Sequence, residues 1–174
     1  MEEVNQSLSK PVKIGIILGL LYCILIYCQD RFFYGNPLQF VCTKLFCYLI
    51  ILTGIFLTGY FRKKEIGGYI TFQESLKVML LAIAILELFY VVFSTIYIKY
   101  IDPNFFERMR ASWQEFFIKN NIPSGKVKLE EFKDAGKFTV WGLIKSYGFS
   151  VIIDSVFAVV FSLVLKKNPP VSEY

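Results

Sequence analysis

The sequence predicts an all-α polytopic membrane protein, with four transmembrane helices and an amphipathic helical loop between the third and the fourth. Three observations carry that prediction. Hydrophobic residues make up 55% of the 174 positions and charged residues only 19%, below the roughly 25% of an ordinary soluble chain. The apolar residues gather into four blocks close to the roughly 20 residues that cross a hydrocarbon core about 30 Å thick. In lipid such blocks are stable only when every backbone N–H and C=O is bonded internally, which at these lengths means helices. Residues 1–174 therefore read as a single four-helix transmembrane domain.

The first span covers about 12–33. Lys13 snorkels at one end, and Phe32, Phe33 and Tyr34 form an aromatic belt at the other. No small-x-small cleavage site follows it, so it reads as a retained helix and not as a signal peptide. Gly35-Asn36-Pro37 turns the chain into a second span at about 38–61. Gly67-Gly68 supplies the next turn, and Thr71-Phe72-Gln73-Glu74 reads as a capping box for a third span at about 76–98. In the loop 99–137, Asp102-Pro103 predicts a helix start. Phe105, Phe106, Met109, Trp113, Phe116 and Phe117 then share one broad face. That amphipathic helix is expected on the membrane surface or across the mouth of the bundle. Pro123-Ser124-Gly125 ends it, and a short helix near Leu129–Lys137 leads to the fourth span at about 138–165, which Asn168-Pro169-Pro170 stops.

Four spans put both termini on one side. Lys10, Lys13, Arg62, Lys63, Lys64, Lys77, Lys166 and Lys167 crowd the helix ends there, whereas the loop 99–137 dilutes eight basic residues among six acidic ones. The positive-inside rule then expects cytoplasmic termini. The net charge of +5 fits loops facing anionic lipid. It comes without any nucleic-acid-binding motif, so no nucleic-acid partner is expected.

The chain has no histidine, which removes Ser-His and Cys-His nucleophile systems. Cys23, Cys28, Cys42 and Cys47 form no CxxC pair and read as small buried hydrophobes, with a Cys28–Cys42 disulfide as the alternative. No metal, cofactor or enzymatic activity is expected.

Glu87 and Asp154 stand out because each lies near the middle of a span, where a charge costs about 2.5 to 3.5 kcal/mol to insert. Glu87, Tyr90, Ser94 and Tyr97 recur at helical spacing on the third span, and Tyr147, Ser150 and Asp154 do so on the fourth. The two stripes predict that these helices face each other. The acids may be read as neutral interhelical hydrogen-bonding groups, as contacts to basic residues of a partner membrane protein, or as part of a proton or cation pathway. Lys44 and Lys145 lie near the outer ends of their helices, away from both acids. Gly15-x-x-x-Gly19 permits close approach of a helix, within the chain or from a second copy, and Gly54 with Thr58 offers a similar small face. Arg62-Lys63-Lys64 suits lipid headgroups or a partner as well as setting topology.

Arg62-Lys63-Lys64, the run Gly67-Gly68-Tyr69-Ile70-Thr71-Phe72-Gln73-Glu74-Ser75, and Tyr97-Ile98-Lys99-Tyr100-Ile101-Asp102-Pro103 together resemble a family of small four-span membrane proteins of unknown function, common in Bacteroidota. The resemblance covers nearly the whole chain. It implies an inner-membrane location and no assigned activity. Proximity of such genes to those of lipid-linked sugar transferases implies an accessory role. The expected function is thus a non-enzymatic accessory or scaffold protein that packs in the bilayer against a larger membrane protein or against itself. The alternative is a small transporter using Glu87 and Asp154.

Overall fold

The structure is a computed structural model that describes residues 2–121 and 140–167. Among these residues it is all-helical: α1 (Glu2–Phe32), α2 (Pro37–Glu65), α3 (Phe72–Ile96), a π-helical turn (Tyr97–Ile101), α4 (Phe105–Lys119) and α5 (Val140–Leu165). Four of the helices are long and apolar enough to cross a membrane, over Lys10–Phe32, Pro37–Glu65, Phe72–Ile101 and Trp141–Leu165. The expected break at Pro123-Ser124-Gly125, the short helix near Leu129–Lys137 and the stop at Asn168-Pro169-Pro170 lie outside the described residues.

The helices begin and end where local chemistry dictates. Asn36 caps α2, its side chain accepting from the backbone N–H groups of Leu38 (3.0 Å) and Gln39 (3.3 Å), with Pro37 at the first turn. The far end of α2 closes in a Schellman motif, in which Gly68 N–H donates to Lys63 C=O (2.9 Å) and Gly67 N–H to Lys64 C=O (3.4 Å). Both glycines have positive φ, 81° and 87°, a region that side chains disfavour. Thr71 caps α3 through a 3.2 Å bond from Glu74 N–H. The expected capping box is only half formed, because the Glu74 carboxylate turns to Arg62 instead of back to the cap. Asp102 does not cap α4 either. That helix starts after Asn104, while Asp102 bonds the Arg108 side chain.

α3 is the central helix, packed by α1, α2 and α5. Gly15 and Gly19 of α1 sit directly against it. A Cβ at Gly15 would lie 3.0 Å from the Ala82 carbonyl oxygen, and one at Gly19 2.9 Å from Phe89. The Gly-xxx-Gly face thus packs within the chain. Gly54 performs the same service for Leu18 across the α1–α2 contact. The apolar core comprises Leu18, Ile51, Ile55, Met79, Ile83, Leu86 and Ala158, among others. At the terminal end, Ile70 and Lys167 exchange two 3.0 Å backbone bonds, which tie the end of α5 to the α2–α3 turn.

Candidate functional site

Two polar features interrupt the apolar interior. The first is at mid-bundle. Glu87 of α3 and Asp154 of α5 are 3% and 2% exposed, so neither reaches lipid. The two carboxyl groups are close enough to act on each other electrostatically, and Ser150 stands beside Glu87. Tyr48 of α2 donates its hydroxyl to Asp154 Oδ1 at 2.5 Å. Tyr147 secures the same interface through a 3.2 Å bond to the Ala84 carbonyl. Glu87 Oε2 and Asp154 Oδ2 are buried without a hydrogen-bond partner.

The two predicted stripes therefore meet over Glu87, Ser150, Asp154 and Tyr147. Tyr90, Ser94 and Tyr97 diverge from them. They line a second feature, a cavity of about 210 Å³ on the loop side of the acids, whose walls include Tyr22, Gln29 and Asp30 of α1 and Phe40 and Lys44 of α2. Tyr97, at the start of the π-helical turn, is buried and T-shaped against Phe105 of α4 at 5.9 Å.

α4 forms the roof. Phe105, Phe106, Met109 and Trp113 face the cavity, so the apolar stripe of the loop helix lies across the bundle mouth. It is held there by the α1–α2 turn: Trp113 Nε1 donates to Tyr34 C=O (2.9 Å), the Arg108 guanidinium stacks over the Tyr34 ring (5.2 Å), and Trp113 meets Phe40 edge-on (5.8 Å). Tyr22 stands at the floor, its ring 5.2 Å from that of Tyr90 and within electrostatic range of Glu87, Asp154 and Tyr48. Polar groups thus run from the roofed cavity to the acid pair. On the other side of the pair, toward the termini, Ile51, Ile55, Met79, Ile83 and Ala158 form a layer with no exposure at all.

The remaining predicted positions lie apart from both features. Arg62 is bound to Glu74 (3.0 Å) and Glu65 (3.6 Å), and Lys10 to Glu65 (2.9 Å). This leaves Lys63 and Lys64 of that cluster without an ion pair among the described residues. Lys145 reaches outward over Trp141 (5.5 Å). The four cysteines are free, with Cys23 and Cys47 buried. Among the described residues no three His, Cys, Asp or Glu side chains gather as a metal site would require. Tyr48, Tyr22, Gln29 and Asp30 were not singled out by sequence reasoning. Asp30 carries one signal in the sequence, as an acid near the end of a span.

The bundle, its buried acid pair and its apolar exterior define a multi-pass helical membrane protein whose ionisable interior groups bond to one another. The chain belongs to the family described as "Protein of unknown function (DUF4199)", whose model matches residues 13–167. No curated protein and no solved structure matches it.

Proposed function

We propose that the protein is a non-enzymatic accessory or scaffold component of a bacterial inner membrane, with cytoplasmic termini, that packs against a larger membrane protein or a second copy of itself. The observation that carries this reading is the distribution of surface. Only 22% of the apolar stretch of α2 and of α5 is buried within the chain. α5 leans on α3 and α2 and turns Ile152, Val156, Val160, Leu163 and Val164 outward. The acids point inward, so the partner surface is an apolar helix face and not Glu87 or Asp154. Lys63 and Lys64, in the last turn of α2, supply the basic end for lipid headgroups or the partner.

The second reading, a proton or cation pathway, is favoured by the two buried oxygens that lack a bond and by the polar groups reaching them from the loop side only. One experiment separates the two. The protein is purified from native membranes in mild detergent, as wild type and as a Val156→Trp, Val160→Trp variant, and wild type and Glu87→Gln are also reconstituted alone in vesicles holding a pH dye. We expect stoichiometric copurification of a membrane protein, or a dimer, that the tryptophan variant loses while its melting temperature is kept, and no dye response. A dye response abolished by Glu87→Gln, with nothing copurifying, moves the assignment to the pathway.

A further inference from the structure

We propose that the cavity beneath α4 binds a small zwitterion, an ammonium joined to a phosphate, and that its source is the headgroup of an aminophospholipid. Among the described residues that line the cavity, Asp30 is the one acid and Lys44 the one base. Both border the same space, yet no ion pair within 4.0 Å joins them. A carboxylate and an ammonium facing one space without closing on each other leave an attachment point for each end of a zwitterion. The same cavity is lined by Tyr22, Tyr90, Tyr97 and Trp113 and by Gln29 and Ser94. Aromatic faces beside a carboxylate favour an alkylammonium group. Lys44 suits a phosphate as a point charge.

Size and depth choose the ligand. A cavity of about 210 Å³ is smaller than the roughly 300–1,000 Å³ that holds a drug-sized molecule, but it accommodates a headgroup. Asp30 lies on the last turn of α1. Lys44 lies about two turns into α2, on the order of 10 Å below the turn at 1.5 Å per residue. Both therefore stand where headgroups are. Lys44 is also exposed, so the site opens at that side chain and an acyl tail can leave it into lipid.

The test is native mass spectrometry of the full chain released from nanodiscs holding equal amounts of phosphatidylethanolamine, phosphatidylglycerol and phosphatidic acid. Melting temperature is followed in parallel with soluble phosphoethanolamine. We expect phosphatidylethanolamine to be retained on the order of tenfold over phosphatidic acid, which shares the phosphate and lacks the ammonium. Asp30→Asn, which keeps the shape, should erase that preference. Lys44→Gln should lower retention of all three lipids. If soluble phosphoethanolamine raises the melting temperature of wild type but not of Asp30→Asn, and no lipid is selected, the zwitterion site stands and its ligand is a free metabolite. Equal retention of the three lipids with no response to phosphoethanolamine overturns the proposal. So does an unchanged preference in Asp30→Asn. Should Asp30→Asn fail to fold, undiminished retention by Lys44→Gln overturns it alone.

Discussion

Tyr48, Glu87 and Asp154 form one unit, and its energetics follow from what each loses alone. Each acid costs about 2.5 to 3.5 kcal/mol to insert when charged. The expense is reduced by a contact that only the folded bundle supplies, the 2.5 Å bond from Tyr48 to Asp154. Interhelical hydrogen bonds in membranes average about 0.6 kcal/mol and reach about 1.7. Tyr48→Phe is therefore expected to cost about 1 kcal/mol. Glu87→Leu or Asp154→Leu should each cost about 1 to 3 kcal/mol, because the surviving acid stays buried with its polar neighbour gone. The double leucine variant should cost less than the sum of the two, by about 0.5 to 3 kcal/mol, since neither polar group then remains. Unfolding in mixed micelles checks the cycle, and strict additivity would show that the two side chains do not share an interface. Glu87 and Asp154 were legible in the sequence because a charge amid twenty apolar residues needs an explanation. Tyr48 was not, since a tyrosine in a span is ordinary at an interface and only the fold shows that its hydroxyl turns inward. Asp30 was hidden for a related reason, since it lies near a span end, where charge is cheap; Lys44 was visible, but only as a base too far from the acids.

At the scale of elements, the spans were the most legible part of the molecule, because hydrocarbon thickness sets their length and the breaks fall at Asn36-Pro37 and Gly67-Gly68. The π-helical turn at Tyr97–Ile101 left no mark in the composition. Which partner the Gly15–Gly19 face meets was equally beyond spacing alone, since any smooth helix would fit. The structure gives that face to α3, and a graded prediction follows. Gly15→Ala places a methyl 3.0 Å from a backbone oxygen and 3.1 Å from the Ile85 Cβ, atoms that move only with their helix. The cost of such overpacking is about 1 to 3 kcal/mol. Gly148→Ala in α5 meets nothing within 4 Å and should be neutral or stabilising by up to about 1 kcal/mol, the gain in helix propensity. Melting temperatures of the two variants in one detergent test this directly. Equal effects would mean that α1 and α3 are not in the contact described.

The whole molecule is asymmetric from end to end, and its orientation decides what the roofed cavity can meet. One end is tied by backbone bonds between Ile70 and Lys167 and by the ion pairs of Arg62 with Glu74 and Lys10 with Glu65. Those pairs do not erase the topological signal, because orientation follows Lys and Arg near span ends and acidic residues contribute little. The other end carries α4, the cavity and the exposed residue Asn120. With Cys28 and Cys42 replaced by alanine to remove exposed thiols, we expect Asn120→Cys to react with a membrane-impermeant maleimide on intact spheroplasts. Gln73→Cys, exposed at the opposite end, should react only after lysis. The reverse pattern would place the termini outside. It would leave the fold untouched but make the cytoplasmic leaflet the source of any headgroup beneath α4. That leaflet also presents the anionic lipids, against which Asp30 discriminates by charge, so the two orientations predict different competition for one site. In the expected orientation, adding anionic lipid to the leaflet that meets the Lys63–Lys64 end leaves occupancy of the cavity unchanged. In the reverse one, anionic lipid that gathers in the cytoplasmic leaflet competes for Lys44 and lowers it.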